Sequence, residues 1–341
     1  MDWKKIAFFA FGLLILGGLI HWAGAQGVAE ILKTTDPLYF TIAVLLYPAA
    51  LAAGALRWKA LLKALGIEAP FSKVMKSSLI GIFFNNVSPG AKGLGEFIKV
   101  YDLSKEIDEP YGPITASVMM DRIMDLFPIV FMMVVATLYT YSLGETALTV
   151  FIVILDIIML AFSALVISLL INEKKALNAL WWIFRLYQRL SPEGAEKRRK
   201  SFEKIAEVTI PRFQRDFSTI AKSRMYPLIA IGYSFLYWLL TIARYYFVFL
   251  AIHYPISPQD ITVVLVVGMV VGMFAIIPGG AGIIEAVNSA VFIALGINPD
   301  QAVAGTILER LISYWAPTLI GAFVVGESTG SEPPSQEVED S

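Results

Sequence analysis

Ile277-Pro278-Gly279-Gly280-Ala281-Gly282-Ile283-Ile284-Glu285-Ala286 splits the apolar region 261–297 into two modest runs, each too short to cross a bilayer alone. Its skeleton, P-G-x-x-G-x-x-E, recurs at identical spacing in Pro89, Gly90, Gly93 and Glu96. There the apolar run of 77–105 is cut and resumes only as the mixed segment Leu94 to Leu103. Broken helices are tolerated at membrane depth only where protein or a water-filled cavity surrounds the freed backbone groups. The flanks repeat as well. Asp121-Arg122-Ile123 lies 25 residues after Glu96, and Glu309-Arg310-Leu311 lies 24 after Glu285. Arg57-Trp58 precedes Pro89 by 32 residues, and Arg244-Tyr245 precedes Pro278 by 34. Four landmarks in one order define two related halves, about 38–141 and 226–326.

The rest of the chain fits that reading. Of 341 residues, 57% are apolar and 16% charged, with a mean hydropathy of +0.68. A soluble domain carries about 25% charged residues, so a soluble enzyme and a disordered chain are excluded. Lys+Arg 27 against Asp+Glu 28 leaves no basic excess for nucleic acid. The count of Cys is 0, and His21 and His253 are the two His, so thiolate chemistry is excluded and no metal site or cofactor is expected.

Apolar spans of crossing length occupy roughly 6–22, 38–56, 114–141, 146–171, 226–252 and 302–326. Lys4 and Lys5 precede the first. Arg57, Lys59, Lys63, Lys73 and Lys76 follow the second, and 172–224 carries a long basic series from Lys174 to Arg224. All three groups belong on the cytoplasmic side by the positive-inside rule. They share it only if 77–105 crosses an even number of times, as a hairpin entering and leaving from the cytoplasm. Parity then places the second half upside down. The expected fold is an all-α polytopic membrane protein, with six crossing helices and two broken re-entrant hairpins arranged as inverted repeats. One transmembrane domain covers 1–326, and 327–341 reads as a disordered acidic tail. The N-terminus, the segment 172–224 and the tail fall in the cytoplasm. The start, with Lys4-Lys5, an apolar run and Ala23-Gly24-Ala25, imitates a signal peptide. The membrane-embedded chain that follows favours a retained span. Within 172–224, Leu180, Trp181, Phe184, Tyr187 and Leu190 recur at helical spacing, consistent with an interfacial helix or with a cytosolic helical hairpin.

A charge at the bilayer centre costs about 2.5–3.5 kcal/mol on insertion scales, so each intramembrane charge needs a partner or a task. Asp121, Arg122 and Asp125 cluster in one span, and Glu309-Arg310 repeats the acid–Arg pair in another. Two readings stand together. Each Arg could neutralise the other half's acid and pin the halves, or Arg122 and Arg310 could offer planar forks to a phosphate. Arg244 faces the same choice, and a polar contact with a neighbouring helix accounts for Asp156. The tips suit anions: Gly90, Gly93, Gly279, Gly280 and Gly282 admit close backbone approach, and a restarting helix favours a negative group at its N-terminus. Asn85, Asn86 and Lys92 add donors around the first tip, which Pro89 opens as Pro278 opens the second.

Three stretches resemble the flippase-like transmembrane family of lysylphosphatidylglycerol synthases: Asn85-Asn86-Val87-Ser88-Pro89-Gly90 through Gly95-Glu96 and Lys99-Val100-Tyr101; Ile277 through Ala286; and Arg310-Leu311-Ile312-Ser313-Tyr314-Trp315. The resemblance covers about 5–326. It departs at Lys99, where the family typically carries a basic residue that is often Arg. It implies movement between leaflets of an anionic or aminoacylated lipid, or of a polyprenyl-linked glycolipid. Bifunctional members carry a large soluble aminoacyl-transferase domain, and the longest hydrophilic stretch here is 172–224. A membrane protein without catalysis of its own is therefore expected, and a separately encoded transferase is a plausible partner. Two alternatives belong to other classes: an intramembrane lipid-phosphate enzyme with Glu96 or Glu285 as general base, and a non-transporting membrane subunit that docks a glycosyltransferase through 172–224.

Overall fold

The computed structural model describes residues 18, 21, 25–88, 93–275 and 277–330. The expected span 6–22 lies almost wholly outside the described residues. The first tip at Pro89, Gly90 and Lys92, and the tail from 331 onward, lie outside them too. Among the described residues the chain is helical without strands: α1 (Ala25–Lys33), α2 (Pro37–Lys63), α3 (Phe71–Val87), α4 (Leu94–Ile107), α5 (Tyr111–Ser142), α6 (Thr146–Ile171), α7 (Glu173–Leu190), α8 (Pro192–Lys204), α9 (Ile210–Lys222), α10 (Met225–Ala251), α11 (Pro258–Phe274), α12 (Ile283–Ala294), α13 (Pro299–Arg310) and α14 (Ala316–Gly330). A π-helical segment, Leu311–Trp315, joins α13 to α14. Among the described residues five stretches are long and apolar enough to cross a membrane: α2, α5, α6, α10 and Pro299–Gly326. The protein is an all-α polytopic membrane protein.

Local chemistry sets the helix ends. Asp36 caps α2 by accepting from the backbone N–H of Leu38 and Tyr39, with Pro37 in the first turn. Ser257 and Pro258 repeat the device at α11. Two boundaries differ from the sequence reading. The helix α2 runs on to Lys63, so Arg57 is a buried intrahelical charge rather than a loop charge. The helix α14 continues to Gly330, past the expected start of the tail at 327.

The first helices of the two halves, α2 and α10, lie side by side and antiparallel. The Asp36 N–H at the start of α2 donates to the Ala251 carbonyl at the end of α10 over 2.7 Å. Tyr39 stacks on Phe247 with centroids 6.3 Å apart, and Arg57 near the other end reaches Ser234 at 3.0 Å. Equivalent helices running in opposite directions make the halves inverted.

Each half then folds a helical hairpin, α3–α4 and α11–α12. In the first, Asn85 meets Gly95, Ser77 meets Asp102, and Lys76 meets Glu106, so both helices begin and end at one mouth. Gly81 and Gly268, each 24 residues beyond its half's Arg, provide the close approach inside the hairpins. A Cβ on Gly81 would lie 3.1 Å from the Lys99 Cβ, and one on Gly268 would lie 2.6 Å from the Asn288 Oδ1. Each hairpin packs on the closing span of the other half, α3 on α14 and α11 on α5.

The halves differ in what covers them. The helix α11 is the centre of the core, with Ile261, Val263, Val264, Val266, Val267 and Val270 buried, and α6 lies against it. By contrast α4 exposes Leu94, Phe97 and Tyr101. Asp156 of α6 accepts a hydrogen bond from Thr137 at 2.8 Å, the polar contact expected of it. The segment 172–224 forms three helices. There α9 seats Phe217 and Ile220 against Leu61, Met120 and Met124. In α7, Phe184 turns inward onto Phe202; of the face expected from the sequence Leu190 is exposed, while Leu180, Trp181 and Tyr187 are half-buried, and the other exposed apolar residues are Trp182, Ile183 and Leu186.

Candidate functional site

In the first half, Arg57 on α2 donates to both carboxylate oxygens of Asp121, from Nε at 2.6 Å and Nη2 at 3.0 Å. Its Nη1 reaches Asp125 at 2.6 Å, so the two acids, one helical turn apart on α5, share one guanidinium. Trp238 of α10 donates to the same Asp125 oxygen at 3.0 Å. One turn into α4, Glu96 accepts from Arg122 at 2.6 Å and pairs with Lys99 at 2.8 Å. The Lys99 ammonium sits 4.7 Å above the Trp58 ring.

The second half repeats this set. Arg244 on α10 pairs with Glu309 on α13 at 2.7 Å, both buried, and Glu285 on α12 pairs with Arg310 at 2.8 Å. Where Lys99 meets Trp58, Asn288 meets Tyr245, donating to its hydroxyl at 3.2 Å. Each ion pair closes within its own half. The cross-half pairing considered from the sequence is not formed. Contact between the halves is made by hydrogen bonds to neutral groups, such as Arg57 to Ser234 and Trp238 to Asp125, and by aromatic rings: Arg57 lies 6.0 Å from the Tyr237 centroid, and Arg244 lies 5.2 Å from that of Tyr47.

The tips converge. Pro278–Gly280 forms a tight turn with Gly279 and Gly280 at positive φ, packed against α3. Gly282 donates its N–H to Glu285 at 2.7 Å, starting α12. Tyr314, near the middle of the 28-residue stretch Pro299–Gly326, places its hydroxyl 3.4 Å from the Pro278 carbonyl and 3.3 Å from the Asn86 carbonyl. Asn86 in turn donates to Thr318 at 2.8 Å. Asn85 closes the neck of the first hairpin, accepting from the Gly95 N–H at 2.9 Å and lying 3.5 Å from Glu96. Gly93 caps α4, its carbonyl accepting from the Glu96 N–H at 3.1 Å.

Among the described residues no group of three or more His, Asp or Glu is arranged to hold a metal ion. The five cations described at the site, Arg57, Lys99, Arg122, Arg244 and Arg310, are matched by the five acids Asp121, Asp125, Glu96, Glu285 and Glu309, and Asn85, Asn86 and Asn288 add carboxamide groups beside them.

The whole pattern matches one known family. The family model for the lysylphosphatidylglycerol synthase TM region aligns with residues 9–321. The chain belongs to this family. Among curated relatives, UPF0104 membrane protein PH1989 of Pyrococcus horikoshii is 34% identical over 326 residues, covering 94% of this chain and 96% of that protein. A UPF0104 membrane protein of Methanothermobacter thermautotrophicus is 28% identical, with 95% and 96% covered. UPF0104 membrane protein MJ1595 of Methanocaldococcus jannaschii is 25% identical, with 93% of each covered. The chain spans nearly the full length of each of these relatives.

Several residues of the site escaped the sequence reading. Arg57 was a repeat landmark and a presumed loop charge, yet it holds both acids of α5. Its equivalence to Arg244, already a site candidate, was the available signal. Lys99 and Tyr314 stand in the stretches that carry the family resemblance but were not site candidates, and Asn288 had no signal in the sequence.

Proposed function

We propose that the protein moves a lipid with an anionic or aminoacylated head group, or a polyprenyl-linked glycolipid, between leaflets, without catalysis of its own. The observation that carries this is the meeting of α3 of the first hairpin with the turn of the second at Tyr314 in the middle of a span, inside antiparallel halves that each pair a Glu at the start of the hairpin's second helix with an Arg of the following span. Inverted repeats with discontinuous helices are a common transporter plan, with the substrate site where the broken segments meet. At the second tip the N–H groups of Gly280, Ala281 and Gly282 are taken by Ile277, Pro278 and Glu285, so on this reading the head group meets side-chain donors, while its tails stay in the bilayer. On this reading the N-terminus, 172–224 and the tail face the cytoplasm.

Reconstitution tests it. Proteoliposomes with a fluorescent phosphatidylglycerol probe in both leaflets, bleached from outside, should lose more than half of the signal as inner-leaflet lipid exchanges. Bleaching limited to the outer leaflet for phosphatidylglycerol, its lysyl ester and a polyprenyl phosphate alike would overturn the proposal. Release of inorganic phosphate or a cleaved head group would instead favour an enzyme using Glu96 or Glu285.

A second reading, a membrane subunit that docks a separately encoded soluble transferase, rests on the exposed apolar residues Trp182, Ile183, Leu186 and Leu190 of α7. It requires that replacing them with Ser abolish cellular function while leaving translocation by the pure protein intact.

A further inference from the structure

The two equivalent ion pairs near the tips are built alike but finished differently. Arg310 is fully engaged: Nε donates to Glu285 at 2.8 Å, Nη2 donates to the Gly279 carbonyl at 3.1 Å, and the guanidinium lies 4.2 Å from the Tyr314 centroid. Its side chain is 10% exposed. Arg122 donates to Glu96 through Nη2, and 49% of its side-chain surface is exposed. Arg122 stands eleven residues into α5, about 17 Å along the helix axis at 1.5 Å per residue. At that depth an exposed guanidinium facing hydrocarbon would cost about 2.5–3.5 kcal/mol. Beyond Glu96, its exposed part needs water or a second anion.

The partners of the two acids differ in the same sense. Glu96 has a second cation, Lys99, at 2.8 Å. Arg122 can swing to another anion and leave Glu96 still compensated. At the position equivalent to Lys99 the second half carries the neutral Asn288, and the other oxygen of Glu285 is held by the Gly282 N–H. Removing Arg310 would strand a buried carboxylate whose side chain is 2% exposed. That is among the costliest defects a buried pair can suffer.

Resting on the lipid-transport reading above, the geometry points to a division of labour. Arg122 is the releasable arm that takes the phosphate of a phospholipid head group, and Arg310 is a fixed latch that shapes the second tip. Lys99 is the positioning residue that makes the release possible. A planar guanidinium suits a phosphate through paired hydrogen bonds. The apolar residues Leu94, Phe97 and Tyr101, exposed on the helix that carries Glu96, offer acyl chains a surface beside it.

The test is binding in detergent, read by native mass spectrometry, with dioleoylphosphatidylglycerol and the phosphate-free dioleoylglycerol as probes, and melting temperature read in parallel. Wild type should bind the phospholipid and discriminate against dioleoylglycerol. Arg122→Gln should bind it about tenfold or more weakly, the scale of one lost charge-assisted bond, with the melting temperature nearly unchanged. Arg122→Lys should recover part of the affinity. Lys99→Asn, which copies the second half, should also weaken binding, because Glu96 then retains Arg122. Arg310→Gln should melt about 5–10 °C lower, with a smaller loss of binding in the protein still folded than Arg122→Gln shows. An arm with excess inorganic phosphate separates the sources: displacement of the lipid by phosphate alone at matched concentration would make the ligand a free anion and overturn the lipid assignment. Equal binding losses in Arg122→Gln and Arg310→Gln at unchanged melting temperature would overturn the division of labour while leaving lipid transport standing. Wild type that binds no phospholipid and fails to translocate it would remove both.

Discussion

The Tyr314 hydroxyl lies between the carbonyls of Asn86, at 3.3 Å, and Pro278, at 3.4 Å. One phenolic proton can serve one carbonyl at a time, so Tyr314 links the end of α3 to the turn of the second hairpin by a bond that can change hands. Tyr314→Phe keeps the ring packed on Gly279 and removes that proton. The expected result is a modest loss of stability, about 0.5–1.5 kcal/mol, with a larger proportional loss of translocation rate. Thermal melting beside the bleaching assay checks it, and an unchanged rate would make the hydroxyl a packing detail.

Arg57 is the heaviest single investment in the fold, since one buried guanidinium compensates Asp121 and Asp125 and reaches Ser234 on α10. Arg57→Met should cost about 3–5 kcal/mol by stranding two buried carboxylates. The triple variant Arg57→Met, Asp121→Leu, Asp125→Leu should recover much of that loss, because an apolar set needs no compensation. A charge swap of Asp121 with Arg310 should recover nothing, since those residues pair with different partners. Melting temperatures of the three proteins decide it.

The repeat, the hairpins and the inversion were legible because they rest on chain punctuation: Pro278-Gly279 stops a helix wherever it stands, and basic residues report the cytoplasmic side. Pairing was not. Hydropathy fixes the depth of Asp121 and Arg244 but not the direction each faces around its helix, so whether Arg244 meets Glu309 or an acid of the other half could not be read. Arg57 falls at the end of an apolar window and reads as the first loop residue, although α2 carries it inside. The contrast between Arg122 and Arg310 depends on Lys99 against Asn288 and on Tyr314, ordinary residues that matter through what they touch.

The second tip has no room for side chains. A Cβ on Gly279 would lie 2.1 Å from the Tyr314 ring, at a φ of +57°. Gly296 has φ +90° with nothing within 4 Å of its Cβ position. Gly296→Ala therefore isolates backbone strain, about 1–2 kcal/mol, and Gly279→Ala adds a clash that must displace Tyr314. Gly279→Ala should be clearly the less stable and should lose translocation first. Equal melting temperatures would show that the tip yields more easily than its packing implies.

At the mouth of the first hairpin, the hydrogen bond from Lys76 holds the Glu106 carboxyl below its ordinary 4.5, with the charges of Lys76 and Lys73 acting in the same direction and partial burial opposing them. A carboxyl whose folded value is depressed contributes stability that is complete above its unfolded value and fades as pH falls through the folded one. The melting temperature should thus be flat above about pH 5 from this group and fall below about pH 4.5. Glu106→Gln should be less stable than wild type near neutrality and flatten that part of the acid limb. A parallel acid limb in the variant would assign the loss to other carboxyls.

The orientation of the halves leads to a prediction about labelling. Contacts sort the ends of the helices into two groups. One group holds the Asp36 N–H on Ala251, the Tyr139 hydroxyl on Asp260, and Val28 against Val303 and Ala304. The other holds Lys73 and Lys76 on Glu106, and the α9 residue Ile220 packed with Leu61 and Met120. The second group carries Lys59, Lys63 and the basic helices α7 to α9, so the proposed orientation, drawn from the positive-inside rule, has it facing the cytoplasm. Because the protein has Cys 0, single Cys residues at exposed positions are clean reporters. Glu68→Cys and Asp108→Cys, before and after the first hairpin, should react only when the inner face is reachable. Glu145→Cys and Asn298→Cys, after α5 and after the second hairpin, should react from outside in intact cells. Labelling of positions 68 and 108 from opposite faces would mean that the first hairpin crosses the membrane. The parity would then fail, and the hairpins could not approach Tyr314 from opposite sides.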